Sequence, residues 1–121
     1  DPAWFNACNG TDVMVACRQV GAKSINLLAW APKADVMFDT GNNSDQLHVA
    51  NGSGWYYNTG GKTSMGFVAA GDSVQKNNCD IASSGSNDKR LCWHFNAGGY
   101  RCGATTGLNG DAGWERILYT R

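Results

Sequence analysis

The sequence predicts an all-β fold: a small disulfide-stapled antiparallel sandwich or barrel with long Gly/Asn-rich loops. Three observations predict it. Turn formers are abundant and helix formers scarce, with 16 Gly and 12 Asn against a single Glu, Glu115. Apolar residues recur in short alternating runs bounded by Gly and Asn. Five cysteines in 121 residues favour an oxidising compartment in which bridges supplement a modest core. At this length one β-rich head domain is expected over residues 1–121, with residues 1–12 as an N-terminal arm carrying Trp4 and Phe5.

The elements follow in order. Val13 to Val20 alternates, with Val13, Val15 and Cys17 on one face. Ile25 to Trp30 is apolar on both faces, Leu27 and Ala29 opposite Leu28 and Trp30. That pattern predicts a central strand, or one covered on both sides. Pro32 ends it, because proline cannot donate into a ladder. Val36 and Phe38 share one face of a short run. Thr40 to Asp45 is a loop by composition, Leu47 and Val49 a brief strand, and Asn51 to Gly54 a turn. Trp55, Tyr56 and Tyr57 are consecutive, so alternation splits them between two faces, and at least one ring is expected to point outward. Met65 to Ala69 is a strand, and the polar stretch after it is irregular apart from Val74 and Ile81.

The organising stretch is Leu91 to Gly103, two short strands around a tight turn. A three-residue loop at Asn96, Ala97 and Gly98 would set Trp93 across from Arg101 and Cys92 across from Cys102. Opposed cysteines on an antiparallel pair approach disulfide geometry. The expected bridges are therefore Cys92–Cys102 and Cys17–Cys79, with Cys8 left over and Cys8–Cys17 as the rival. Leu91, Trp93 and Phe95 alternate onto the core face. A zinc alternative would use Cys79, Cys92, His94 and Cys102, without the usual paired-cysteine spacing. Gly103 to Gly113 is a glycine-rich crossing to a closing strand, Trp114 to Thr120. Trp114, Arg116 and Leu118 take one side of that strand; Glu115, Ile117 and Tyr119 take the other. Both sides carry large apolar surface, so one is expected to meet a neighbouring subunit.

Charge narrows the function. Ten basic and ten acidic residues, evenly spread, give a formal net charge of zero. Nucleic acid calls for a basic face and anionic membranes for a basic patch, so neither partner is expected. No apolar run reaches the about eighteen residues of a transmembrane helix, so no membrane insertion is expected. No signal-peptide pattern stands at the start, and Asp1 is expected to be a mature terminus. Enzyme signatures are missing: His48 and His94 sit in no Ser or Cys motif, and Glu115 has no spaced carboxylate partner.

Binding suits the composition better. Aromatic rings stack on the apolar faces of sugars, while amides, carboxylates and imidazoles bond the hydroxyls. Two stretches offer that mixture. The first gathers Asn42, Asn43, Asp45, His48 and Asn51 around Trp55, Tyr56 and Tyr57. The second is the hairpin tip and the crossing after it, with His94, Asn96, Tyr100, Asn109 and Asp111. No cofactor is required; calcium is an option through Asp39, Asn42 and Asp45, with Asn43 beside them, although the spacing is not that of an EF-hand.

Several of these segments carry a resemblance. Arg90 to Phe95, Gly99-Tyr-Arg-Cys-Gly103, Gly107-Leu-Asn and Trp114-Glu-Arg-Ile-Leu-Tyr resemble the closing segment of C-terminal head or tip domains of bacterial surface fibre proteins, the trimeric adhesins and tail fibres. Asp35-Val-Met-Phe-Asp-Thr and Gly54-Trp-Tyr-Tyr-Asn are similar to the middle of such domains, so the resemblance covers residues 14 to 121. It implies an extracellular, homotrimeric fibre tip whose task is adhesion, and it carries no site residue across. Cys8 departs from the pattern by making the cysteine count odd. The expectation is an adhesin-like or lectin-like domain binding a cell-surface glycan or protein. The alternatives are a structural subunit of an extracellular filament or matrix, and a small secreted hydrolase.

Overall fold

Two antiparallel sheets face each other across a shared core. The structure, a computed structural model, describes residues 10–41, 46–58, 64–74, 79–80, 87–95 and 99–121. The strands are β1 (Asp12–Gln19), β2 (Leu27–Pro32), β3 (His48–Ala50), β4 (Ser53–Asn58), β5 (Ser64–Ala69), β6 (Leu91–His94), β7 (Tyr100–Cys102) and β8 (Trp114–Thr120). One helical turn, α1 (Lys33–Val36), follows β2 and sends Val36 into the core. Strands β3 to β7 form a five-stranded meander in chain order, and β2-β1-β8 form the second sheet. The closing strand thus returns to pair with the first, Met14 opposite Tyr119 and Val15 opposite Leu118. Asp12, expected in the arm, already belongs to this sheet: it exchanges two backbone hydrogen bonds with Arg121. Residues 1–9, Cys8 among them, lie outside the described residues.

Alternation explains the layers. Val13, Val15 and Cys17 of β1, with Ala29 and Ala31 of β2, face Trp55, Tyr57, Met65, Phe67, Leu91, Trp93, Tyr100 and Cys102 of the larger sheet. The odd members of β4 and β6 point into this core, and their even neighbours point away. A second cluster, Tyr56, Val68, Val74, Cys79 and Cys92, covers the far face of the larger sheet. Val74 and Cys79 cover that face from between β5 and β6, and Cys79 bonds to Cys92 of β6. Asp80, next along, is fully buried between Arg90 and Arg101. Arg90 Nη1 donates to both Asp80 carboxylate oxygens at 2.8 and 2.9 Å and to the Ser73 carbonyl at 2.7 Å. Arg101 Nη1 donates to the Asp80 carbonyl, and its Nε donates to the Gly103 carbonyl at 2.8 Å. Cys79 and Asp80 both hold positive φ, 50° and 57°, a left-handed pair that persists where its surroundings over-determine it.

The expected bridges are corrected. Cys17, Cys79, Cys92 and Cys102 are the bonded cysteines, but they pair as Cys17–Cys102 and Cys79–Cys92. The hairpin register differs by one residue from the expected one: Leu91 opposes Cys102, Cys92 opposes Arg101 and Trp93 opposes Tyr100. A one-residue slip reassigns every cross-strand pair, and the apolar pattern decides between the two registers. The observed one groups Leu91, Trp93, Tyr100 and Cys102 on the core face and leaves Arg101 on the other, beside Asp80. The expected one would have set Arg101 against Trp93 in the core. Cys102 therefore reaches across the sandwich to Cys17, while Cys92 faces the outer layer. With three of its sulfurs oxidised, the zinc set loses its thiolates. Strand β2 is also corrected: it is an edge strand whose outer face stays open, with Leu28 and Trp30 exposed.

Non-reduced peptide mapping is expected to recover Cys17 joined to Cys102 and Cys79 joined to Cys92. The Cys17–Cys102 bridge spans 85 residues and the other 13. On chain entropy, losing the long one by Cys17→Ser with Cys102→Ser costs about 4–5 kcal/mol, and losing the short one about 3 kcal/mol. Chemical denaturation of the two double variants checks that order.

Candidate functional site

The three rings of the first expected basin are core. Trp55, Tyr56 and Tyr57 are 0%, 0% and 2% exposed, so the expectation that one ring faces outward is overturned. They do split by alternation, Trp55 and Tyr57 inward and Tyr56 outward, but the layer pinned by Cys79–Cys92 covers Tyr56. Room for its ring comes from Gly66, directly opposite on β5. A Cβ there would stand 2.0 Å from the Leu91 carbonyl oxygen and 2.7 Å from the Tyr56 hydroxyl. Trp55 Nε1 donates to the Ala50 carbonyl at 3.1 Å, which satisfies the indole internally.

His48 and Asn51 reach the surface but are occupied. His48 Nε2 donates to Asp35 Oδ1 at 2.7 Å, and its ring stacks on Phe38 with centroids 4.2 Å apart. Asn51 and Gly52 hold φ of 49° and 77°, the left-handed pair of a type I′ hairpin turn. The Asn51 amide donates to the Trp30 carbonyl at 2.7 Å, tying this turn to the edge of β2. Asp39 Oδ1 accepts from the Gly41 amide at 2.8 Å, as a turn-forming aspartate does. Asn42, Asn43 and Asp45 lie outside the described residues, and with them most of the calcium option.

The second basin is likewise dispersed. His94 and Tyr100 are buried, and they face opposite sides of the hairpin. His94 packs against Gly99, where a Cβ would meet its ring at 2.6 Å. The Tyr100 hydroxyl donates to the Glu115 carbonyl at 2.9 Å, and Arg116 lies over the ring at 4.6 Å. Asp111 accepts from the Gly113 amide at 2.8 Å, a turn role, and Asn109 is exposed beside it. Asn96 lies outside the described residues.

Burial sets the phenols apart. Desolvation, with a smaller push from Asp80, holds Tyr56 well above the ordinary tyrosine value. Desolvation and then Asp39 raise Tyr57. Desolvation carries Tyr100 up to about 12.

Large side chains stand exposed together on the outer face of β2-β1-β8, where the alternation of β8 predicts apolar surface. Its register brings Trp30, Met14 and Tyr119 into one row across the three strands. Leu28, Ala16 and Ile117 form the next row. Trp30 and Tyr119 are 42% and 62% exposed, and Leu28 is 47% exposed. A groove of about 300 Å³ runs over the first row, lined by Asp12, Val13, Met14, Trp30, Tyr119 and Arg121. Arg121 places its guanidinium 5.4 Å from the Trp30 ring centre and its Nε 3.4 Å from Asp12 Oδ2. At the far end of the face, Arg18 pairs with Glu115. The face thus combines a tryptophan, a tyrosine, a thioether and two mutually neutralised ion pairs.

Both edges of this sheet are blunted from the other sheet. Asn51 takes a carbonyl of β2, and Tyr100 takes one of β8. The outer strands of the meander, β3 and β7, are three residues each. Short or capped edges resist strand addition by another chain. No family model, curated protein or solved structure matches the chain.

Two measurements follow from this geometry. Tyrosinate absorbance on raising the pH should lag at Tyr56, Tyr57 and Tyr100. Their folded pKa values exceed the ordinary value of about 10, so this stabilisation is complete below pH 10 and is lost as the pH rises toward 12. The buried phenols are expected to ionise together with loss of near-ultraviolet circular dichroism; a smooth titration of all four with the fold intact contradicts their burial. Asn51→Ala removes both the turn's left-handed preference and the bond to Trp30, at about 1–2 kcal/mol. Asn51→Gly restores the turn and is expected to recover roughly half.

Proposed function

We propose that this chain is an extracellular recognition domain, not a catalyst, and that it takes a carbohydrate ligand on the outer face of β2-β1-β8. One observation carries the reading: the exposed Trp30–Met14–Tyr119 row over a groove with Asp12 and Arg121 at its rim. Aromatic rings supply flat apolar surface for the C–H faces of a sugar, and the rim pair supplies a carboxylate acceptor and guanidinium donors for hydroxyls. The two disulfides fit an oxidising compartment outside the cytoplasm. Among the described residues no helix is long and apolar enough to cross a membrane. The likeness of several segments to fibre-tip domains points the same way, toward adhesion at a cell surface. The filament-subunit alternative is weakened by the capped and short strand edges, since edge pairing is the usual route by which sheets join.

Glycan-array binding that Trp30→Ala lowers at least ten-fold, with unchanged melting temperature, is the expected result. Trp55→Ala should behave differently, destabilising the fold by about 3–5 kcal/mol through the cavity it leaves. An array signal indifferent to Trp30→Ala places recognition elsewhere.

A further inference from the structure

We infer that the face selects a neutral, extended β-1,4-linked polysaccharide, lying across the strands along the Trp30–Met14–Tyr119 row; this rests on the carbohydrate reading above and names its ligand class. Three observations carry it.

Pitch comes first. Trp30, Met14 and Tyr119 are direct cross-strand partners on consecutive strands. Neighbouring strands stand about 5 Å apart, so the two rings rise from backbones roughly 10 Å apart. Each sugar of an extended β-1,4-linked chain advances by about one such spacing. Trp30, the Met14 thioether and Tyr119 therefore fall under three successive sugars. A coiled α-linked chain turns away from a straight row, and a single sugar reaches only one ring.

Charge comes second. Asp12 is paired with Arg121 and Arg18 with Glu115, so each ion pair on the face cancels itself. An acidic polysaccharide would meet no uncompensated cation there. A neutral one finds donors and acceptors at the groove rim and the exposed side chain of Leu28 on its other flank.

Area comes third. From Asp12 to Arg18 the face is roughly 20 Å long, and with side chains it is about 15 Å wide, a footprint near 300 Å². A stable protein partner needs about 800 Å² per side. The face is too small for a second copy of this chain to hold by itself, and it matches a strip of a few sugars.

The test uses the whole chain with defined polymers. Cellulose and chitin are the neutral β-1,4-linked probes, amylose the α-linked control and polygalacturonate the acidic one. Expected are depletion from solution by cellulose or chitin and at least ten-fold tighter binding of their hexasaccharides than of their disaccharides. Trp30→Ala and Tyr119→Ala should each lower hexasaccharide affinity ten-fold or more with melting temperature kept, whereas Val49→Ala, at an exposed site on β3, should not. Equal binding of amylose, preference for polygalacturonate, or equal affinity for disaccharide and hexasaccharide overturns the inference while leaving carbohydrate recognition standing. Absence of binding to every polymer and to a broad glycan array overturns both. A dimer in light scattering that Trp30→Ala dissolves also overturns the inference, because a second copy would then own the face.

Discussion

The carboxylate of Asp80, buried between Arg90 and Arg101, is the interaction on which the rest of the architecture depends. Both arginines come from the hairpin segment of the larger sheet, and Asp80 comes from the segment that crosses over it. An isolated buried charge costs several kcal/mol, so the two guanidiniums are tolerable only with their carboxylates: Asp80 between them, and Asp72, whose Oδ2 lies 3.6 Å from Arg90 Nη2. The set fixes where the crossing segment lies. The Cys79–Cys92 bridge, one residue away, fixes it again. Two successive left-handed residues, Cys79 and Asp80, are the conformational cost of that placement.

Consequences spread from this clamp in both directions. On its own side it turns the far face of the five-stranded sheet into an interior. Tyr56, which alternation sends outward, ends there as a core residue lying over Gly66. On the other side of the sandwich nothing comparable exists among the described residues. The three-stranded sheet is held to its neighbour by the Cys17–Cys102 bridge, by Asn51 at one edge and by Tyr100 at the other. These ties hold the sheet from its core side and its edges; on its outer face Leu28, Trp30 and Tyr119 stay exposed, while Ala16 between them is buried.

The rings expected to be free are not the exposed ones. Thirteen aromatic residues in 121 exceed what a two-sheet core of this size needs on one side, and the extra covered face absorbs one of the rings expected to be free. Among the described residues the exposed rings are Trp30, Phe38 and Tyr119. The polar residues once grouped with the buried rings serve local structure. Asn51 caps an edge, Asp39 and Asp111 shape turns, His48 pairs with Asp35, and Tyr100 closes β8. Each is the commoner use of its residue type.

Alternation along each strand was written in the sequence. It placed Val13, Val15 and Cys17 together, separated Trp55 and Tyr57 from Tyr56, and divided the closing strand into the two sides observed. The all-β class, the Asn51–Gly52 turn, the glycine-rich crossing and the four bridged cysteines were legible for the same reason: they depend on neighbours in the chain. The hairpin register was legible too, had Arg101 been kept out of the core before the cysteines were matched. Two things lay beyond the chain's local order. Whether an apolar face such as Leu28–Trp30 is covered depends on where a distant segment crosses, and Tyr119 meets Met14 and Trp30 only because the last strand returns to the first. Periodicity states that a strand has two faces; only tertiary packing decides which of them meets water.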